Sequence, residues 1–155
     1  MTSEPAGSPP KPYPWLQTNF AESTAQFSPD GRWVVWQSDE TGRLEVYVAP
    51  FSGAGGKRQV SAEGGNSPRW RRDGRELFYR GPDGKLTAVE VGAKGTTLEL
   101  GKSSKLPVPA STSGLLGFTY DVAADGQRFL AIAPVEQAGR QELTVVLNWA
   151  AGLKK

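Results

Sequence analysis

Cysteine and histidine are both missing from this chain of 155 residues, and methionine occurs once. Without a thiol or an imidazole the chain cannot assemble a Ser-His-Asp triad, a cysteine nucleophile, a zinc finger or a haem ligand set of the usual kind. A disulfide is excluded as well, so cysteine usage leaves the redox compartment open. Long apolar runs are also lacking. No window approaches 18 consecutive apolar residues, and residues 1–10 have neither a basic n-region nor an apolar h-region. Neither an export signal nor a membrane segment is expected in the sequence. No 3.6-residue apolar stripe runs longer than two turns, which predicts that helix is close to absent. A net charge of +2 is too small to imply an acidic partner by itself.

Turn formers are plentiful: 19 glycines and 12 prolines suit many short strands joined by tight turns. With 37% hydrophobic and 22% charged residues, the composition is that of an ordinary globular chain long enough for one core. Residues 1–11 hold no large apolar side chain to offset the entropy of ordering and are expected to form a disordered lead. Residues 13–18, with Tyr13, Trp15 and Leu16, read as one edge strand, where the prolines at 12 and 14 are tolerated.

The organising pattern is FSPDGRWVVW at 27–36, repeated as WRRDGRELFY at 70–79 and VAADGQRFLA at 122–131. Asp30 and Asp73 are 43 residues apart and Asp73 and Asp125 are 52 apart, close to the 40–45-residue period of a four-stranded propeller blade. An insertion within 101–117 accounts for the longer interval. The runs after each glycine (Val34, Val35, Trp36; Leu77, Phe78, Tyr79; Phe129, Leu130, Ala131) do not alternate, so each strand should be covered on both faces. The residues before each turn do alternate (Ala25 and Phe27; Pro68 and Trp70; Tyr120 and Val122), as in an innermost strand with one face on a channel. Third strands are expected at 44–49, 86–91 and 143–148, and short outer strands at 58–61 and 98–102. The fold class is therefore all-β: a partial propeller of about three four-stranded antiparallel blades at 24–61, 66–103 and 118–150, within a domain of 12–155, plus the leading strand.

The segments FSPDGRWVVWQSDETGRLEVYVAPF, PRWRRDGRELFYR, YDVAADGQRFLAI and LTVVLNWAAGLKK together resemble bacterial TolB-like, WD-type β-propeller repeats. The likeness is greatest to the C-terminal end of the propeller appended to bacterial serine/threonine protein kinases. It covers nearly everything after Lys11. Such propellers close with six or more blades, so the chain resembles the second half of a ring, and no kinase signature is present. Exposed blade faces at the ends of the arc would then call for missing blades or for self-association. The resemblance implies a non-catalytic module that binds a protein or small ligand, as the sensory or scaffold part of a signalling or envelope system. It also suggests an extracytoplasmic setting if the chain belongs to a longer protein. The alternative is an accessory gating domain of a propeller-bearing hydrolase or peptidase.

In a four-stranded meander the Asp-Gly turns share one rim, and the remaining connections gather on the other. Resemblance to ligand-binding propellers favours the second rim, with Asn19, Phe20, Glu22, Asp39, Glu40, Glu63, Asn66, Asp83 and Glu136 as candidate binding residues. Asp30, Asp73 and Asp125 read as turn residues rather than cation ligands, because serine, proline and glycine around Asp30 fit a type I turn. Gly101-Lys102-Ser103 lacks the glycine five residues earlier that a phosphate loop requires, that position being Thr96. The arginines at 69, 71, 72, 75 and 80 interleave with aromatics as in single-strand binders, but those aromatics belong to buried runs, so no nucleic-acid partner is expected. Ser104-Lys105 are adjacent rather than three apart, and nothing fixes a partner for Asp39-Glu40. No catalytic residue, metal or cofactor is assigned.

Overall fold

The computed structural model describes residues 11–53, 55–95, 97–107, 119–134 and 141–146. They form three antiparallel sheets and no helix. The first sheet is a meander of β1 (Ser23–Phe27), β2 (Trp33–Ser38), β3 (Glu45–Pro50) and β4 (Arg58–Gln59). The second repeats it with β5 (Asn66–Trp70), β6 (Glu76–Arg80), β7 (Leu86–Lys94) and β8 (Thr97–Lys105). In the third, β9 (Tyr120–Val122), β10 (Phe129–Pro134) and β11 (Gln141–Val146) pair in the same order. This is the architecture of a partial β-propeller: an unclosed arc of consecutive blades. Residues 1–10 of the expected disordered lead and residues 147–150 at the end of the expected third blade lie outside the described residues.

The Asp-Gly turns sit where the repeat puts them. Gly31 adopts φ +71° and its N–H donates to Ser28 O at 2.8 Å, closing the turn that returns β1 to β2. The inner strand of each of the first two blades carries a bulge with a left-handed, non-glycine residue, Thr24 (φ 53°) and Ser67 (φ 52°). These two positions are 43 residues apart, so the backbone irregularity repeats along with the turn.

Packing occurs between blades. One layer joins Trp33, Val35, Val46 and Val48 of the first blade to Trp70, Leu77 and Leu98 of the second. The next joins Phe78, Leu86 and Ala88 of the second to Tyr120, Phe129 and Ala131 of the third, with Phe78 and Phe129 edge-to-face at 5.0 Å. Neighbouring residues on one strand therefore serve opposite layers: Leu77 faces the first blade and Phe78 the third. This is why the runs after each glycine are apolar throughout.

Three local expectations are modified. Residues 13–18 form no strand among the described residues: prolines at 12 and 14 remove N–H donors, and no neighbouring strand is there to pair with them. Trp15 instead packs edge-on against Trp36 at 5.6 Å, and its indole N–H donates to Phe51 O at 2.8 Å. The alternation in β1 does not bury its apolar residues. Ala25 and Phe27 are exposed, Phe27 by 53%, whereas Pro68 and Trp70 at the equivalent positions are buried against the first blade. The face is the same, but no described blade precedes the first. Finally, the outer strands differ in length. β4 has two residues and β8 has nine, part of the sequence that separates the second and third repeats being used to extend β8.

Candidate functional site

The candidate residues of the second rim are held in local groups of contacts. Asn19 and Phe20 are exposed in the bend before β1. Glu22 accepts from Thr18 Oγ1 at 2.8 Å and from Ser38 Oγ at 3.2 Å, while Asp39 accepts from the Ala21 N–H at 2.8 Å. These contacts tie the approach to β1 onto the β2–β3 turn. Glu40 is paired with Lys57, which holds its carboxyl below the usual range; Lys57 also lies 4.9 Å above the Tyr47 ring. Burial, reinforced by Glu40, pushes the Tyr47 hydroxyl up to about 12. Asp83 takes hydrogen bonds from Lys105 Nζ at 2.8 Å and the Lys85 N–H at 3.1 Å, and Lys105 depresses its pKa. Glu63 is exposed, Asn66 Oδ1 accepts from Ser67 Oγ at 3.1 Å, and Glu136 lies outside the described residues.

Between these groups sits a residue that sequence reasoning missed. Glu45 is fully buried; its Oε1 accepts from Arg43 Nε at 2.7 Å and the Gly64 N–H at 3.0 Å, and its Oε2 accepts from Ser61 Oγ. Ser61 in turn accepts from the Val46 N–H at 2.8 Å. A carboxylate satisfied by so many donors clamps the connection from the first blade to the second. Gly65 beside it has no room for a side chain: a Cβ there would lie 2.7 Å from Ser61 Cβ and 2.9 Å from the Tyr79 ring.

A cleft of about 590 Å³ opens on the opposite rim, among the Asp-Gly turns. Its formation follows from the unequal outer strands. Because β4 is short, the flank of the first blade is open, and the tip of the β7–β8 hairpin leans across, burying Leu98 against the first blade. Arg58 Nη1 donates to Leu98 O at 2.7 Å and fastens that tip. Its lining includes Trp33, Val48 and Leu98, all largely buried in the layer between the blades, Phe51, whose ring packs against Trp15 and Phe27, and the exposed Arg32 and Arg58. A second recess of about 370 Å³ shares Arg32, Trp33 and Leu98 and runs on to Asp73, Arg75 and Trp70.

Arg32 is oriented by Asp30, whose Oδ2 accepts from Nε at 2.7 Å. Burial alone would raise the Asp30 carboxyl, but hydrogen bonds from the Ser28 hydroxyl and from the Arg32 N–H and guanidinium outweigh it and hold the pKa at about 2. The turn aspartate therefore also positions a cleft residue. No group of three or more carboxylates is placed to hold a metal ion among the described residues. The only sequence signal for the cleft was the alternation near Leu98, which marks a strand and gives no measure of its reach.

No family model and no curated protein matches the chain. Solved structures do. It is similar to a protein of Bacteroides uniformis provisionally named a 6-phosphogluconolactonase, with 15% identity and a TM-score of 0.46. It is also similar to TolB of Acinetobacter baumannii, with 12% identity and a TM-score of 0.40. In both cases 86% of this chain is matched, and the chain spans 43% of the other protein's length. The blade architecture stands on the sheet order and register described above.

Proposed function

We propose that the chain is a non-catalytic binding module, a propeller segment whose rim takes a protein or small ligand as the sensory or scaffold part of a larger signalling or envelope system. The observation that carries this reading is the cleft between the first two blades, whose volume and largely apolar lining match those of small-molecule sites. The sequence supports it by offering neither histidine nor cysteine for acid–base or nucleophilic work. The kinase-associated setting comes from the sequence resemblance alone. Further blades, in the same chain or a second copy, would cover the exposed Phe27 and Leu130 at the two ends of the arc.

The test is a ligand panel of metabolites and short peptides, read by thermal shift and by the fate of each compound. A true ligand at a hundred times its Kd should raise Tm by roughly 5–10 °C and be recovered unchanged. Repeated turnover of any compound by the purified chain would overturn the non-catalytic reading, and a panel without a single stabilising compound would count against binding.

A further inference from the structure

We infer that the cleft between the first and second blades binds a small organic anion with an apolar body, the anionic group held by Arg32 and Arg58 and the body within the largely apolar cleft that they border. This inference rests on the binding-module reading and assigns its site to the rim opposite the one the sequence favoured.

Charge decides the class of ligand. Two guanidinium groups line the cleft and no carboxylate does, so a cation would find no partner there. Each arginine is held through one nitrogen, Arg32 by Nε on Asp30 and Arg58 by Nη1 on Leu98 O. A guanidinium has five N–H donors, so both retain donors for an oxyanion, and both are already oriented. Asp30 offsets part of the Arg32 charge while fixing its direction, which favours a single anionic group over a polyanion. Size and shape decide the rest. About 590 Å³ suits a molecule of drug-like dimensions, and the largely apolar lining accepts an apolar body, with Trp33, Val48 and Leu98 reached only at the edges they leave uncovered. A peptide added as a strand has little to pair with, since β4 presents only two residues.

The probes are 8-anilinonaphthalene-1-sulfonate and N-phenyl-1-naphthylamine, which share one body and differ by the sulfonate. The intact chain should bind the sulfonate saturably at one site. Arg32→Gln and Arg58→Gln should each weaken it about tenfold, a typical loss for a charge-assisted hydrogen bond, while leaving the neutral amine within twofold. Ser52→Trp, at an exposed turn lining the cleft, should block both probes by filling it. Unchanged melting temperatures would show that these exposed positions were altered without loss of fold. Sulfonate binding that survives the arginine substitutions within twofold, or that survives Ser52→Trp, would overturn the assignment and place the probe on the apolar faces near Phe27 or Leu130. If the sulfonate arms fail while a panel ligand still stabilises the Ser52→Trp chain, the cleft assignment falls and the binding-module reading stands; if neither binds, both fall.

Discussion

The interface between the first and second blades and the interface between the second and third are built at equivalent positions with different chemistry. In the first, Gln26 Oε1 accepts from the Trp70 N–H at 3.0 Å and Gln37 Oε1 from the Ser67 N–H at 2.8 Å. Forty-three residues on, the same two positions hold Arg69 and Arg80, and Arg69 Nε lies 3.9 Å from Asp121 of the third blade. Neutral amides that take backbone N–H groups fix the register of the next strand and are indifferent to salt. A charged pair at 3.9 Å orients its partner less tightly and is screened by salt. The apolar layers differ in the same sense. Phe78 and Phe129 meet directly and are fully buried, whereas Trp33 and Leu98, also buried in their layer, border a cleft that opens at its rim. One repeat has produced two filled interfaces, of which the first is notched at one rim.

The largest effects should come from removing the anchor of either interface. Phe78→Ala should cost about 3–5 kcal/mol by leaving a cavity between the second and third blades. Glu45→Ala should cost about 3 kcal/mol at the other connection, because Ser61 and the Gly64 N–H lose a buried acceptor. Urea denaturation measures both, and a loss below 1 kcal/mol for either would remove that residue as an anchor. A smaller contrast lies in the stitching. Gln37→Ala should cost about 1–2 kcal/mol irrespective of salt, by orphaning the Ser67 N–H. Arg69→Ala should show a component that shrinks between 0.05 and 0.5 M salt, on the order of 1 kcal/mol or less; equal salt dependence in the two variants would erase the distinction between the interfaces.

An effect of similar size concerns pH. Asp30 is depressed from 3.8 to about 2 in the folded chain, so its contribution is fully present above about pH 4 and is lost as the pH falls through about 2. Its side chain is 45% exposed, and after screening the contribution is about 1 kcal/mol. Asp30→Asn should flatten that part of the acid limb in a stability-versus-pH curve and leave neutral stability within about 1 kcal/mol. A much larger loss at pH 7 would give Asp30 a role beyond the turn and Arg32.

The inner hairpins were legible because their determinants are local: proline and glycine fix the turn, and the apolar run after it marks a strand enclosed on both faces. The exposure of Phe27 was not, since alternation identifies a face without saying whether a neighbour covers it; Trp70 follows the same pattern and is buried. The failed strand at 13–18 shows the converse, apolar side chains being present where backbone pairing was not. Glu45 was hidden within a strand that reads as apolar, and two of its three donors lie 16 and 19 residues downstream. The cleft was least legible of all. It arises from the difference between a two-residue and a nine-residue outer strand, and from a side chain on one blade reaching the next.

That reach determines where the chain can be cut. The connection at 62–65 looks like a natural seam between two like units, but severing it would strip Trp33, Val35, Val46 and Val48 of Trp70, Leu77 and Leu98. The first-blade piece would lose the partner of its layer facing the second blade, and the other would keep only the layer between the second and third blades. The divisible unit of this molecule is the seam itself with both of its flanks, so any shortened version should begin and end in the middle of a blade pair's outer faces and never between them.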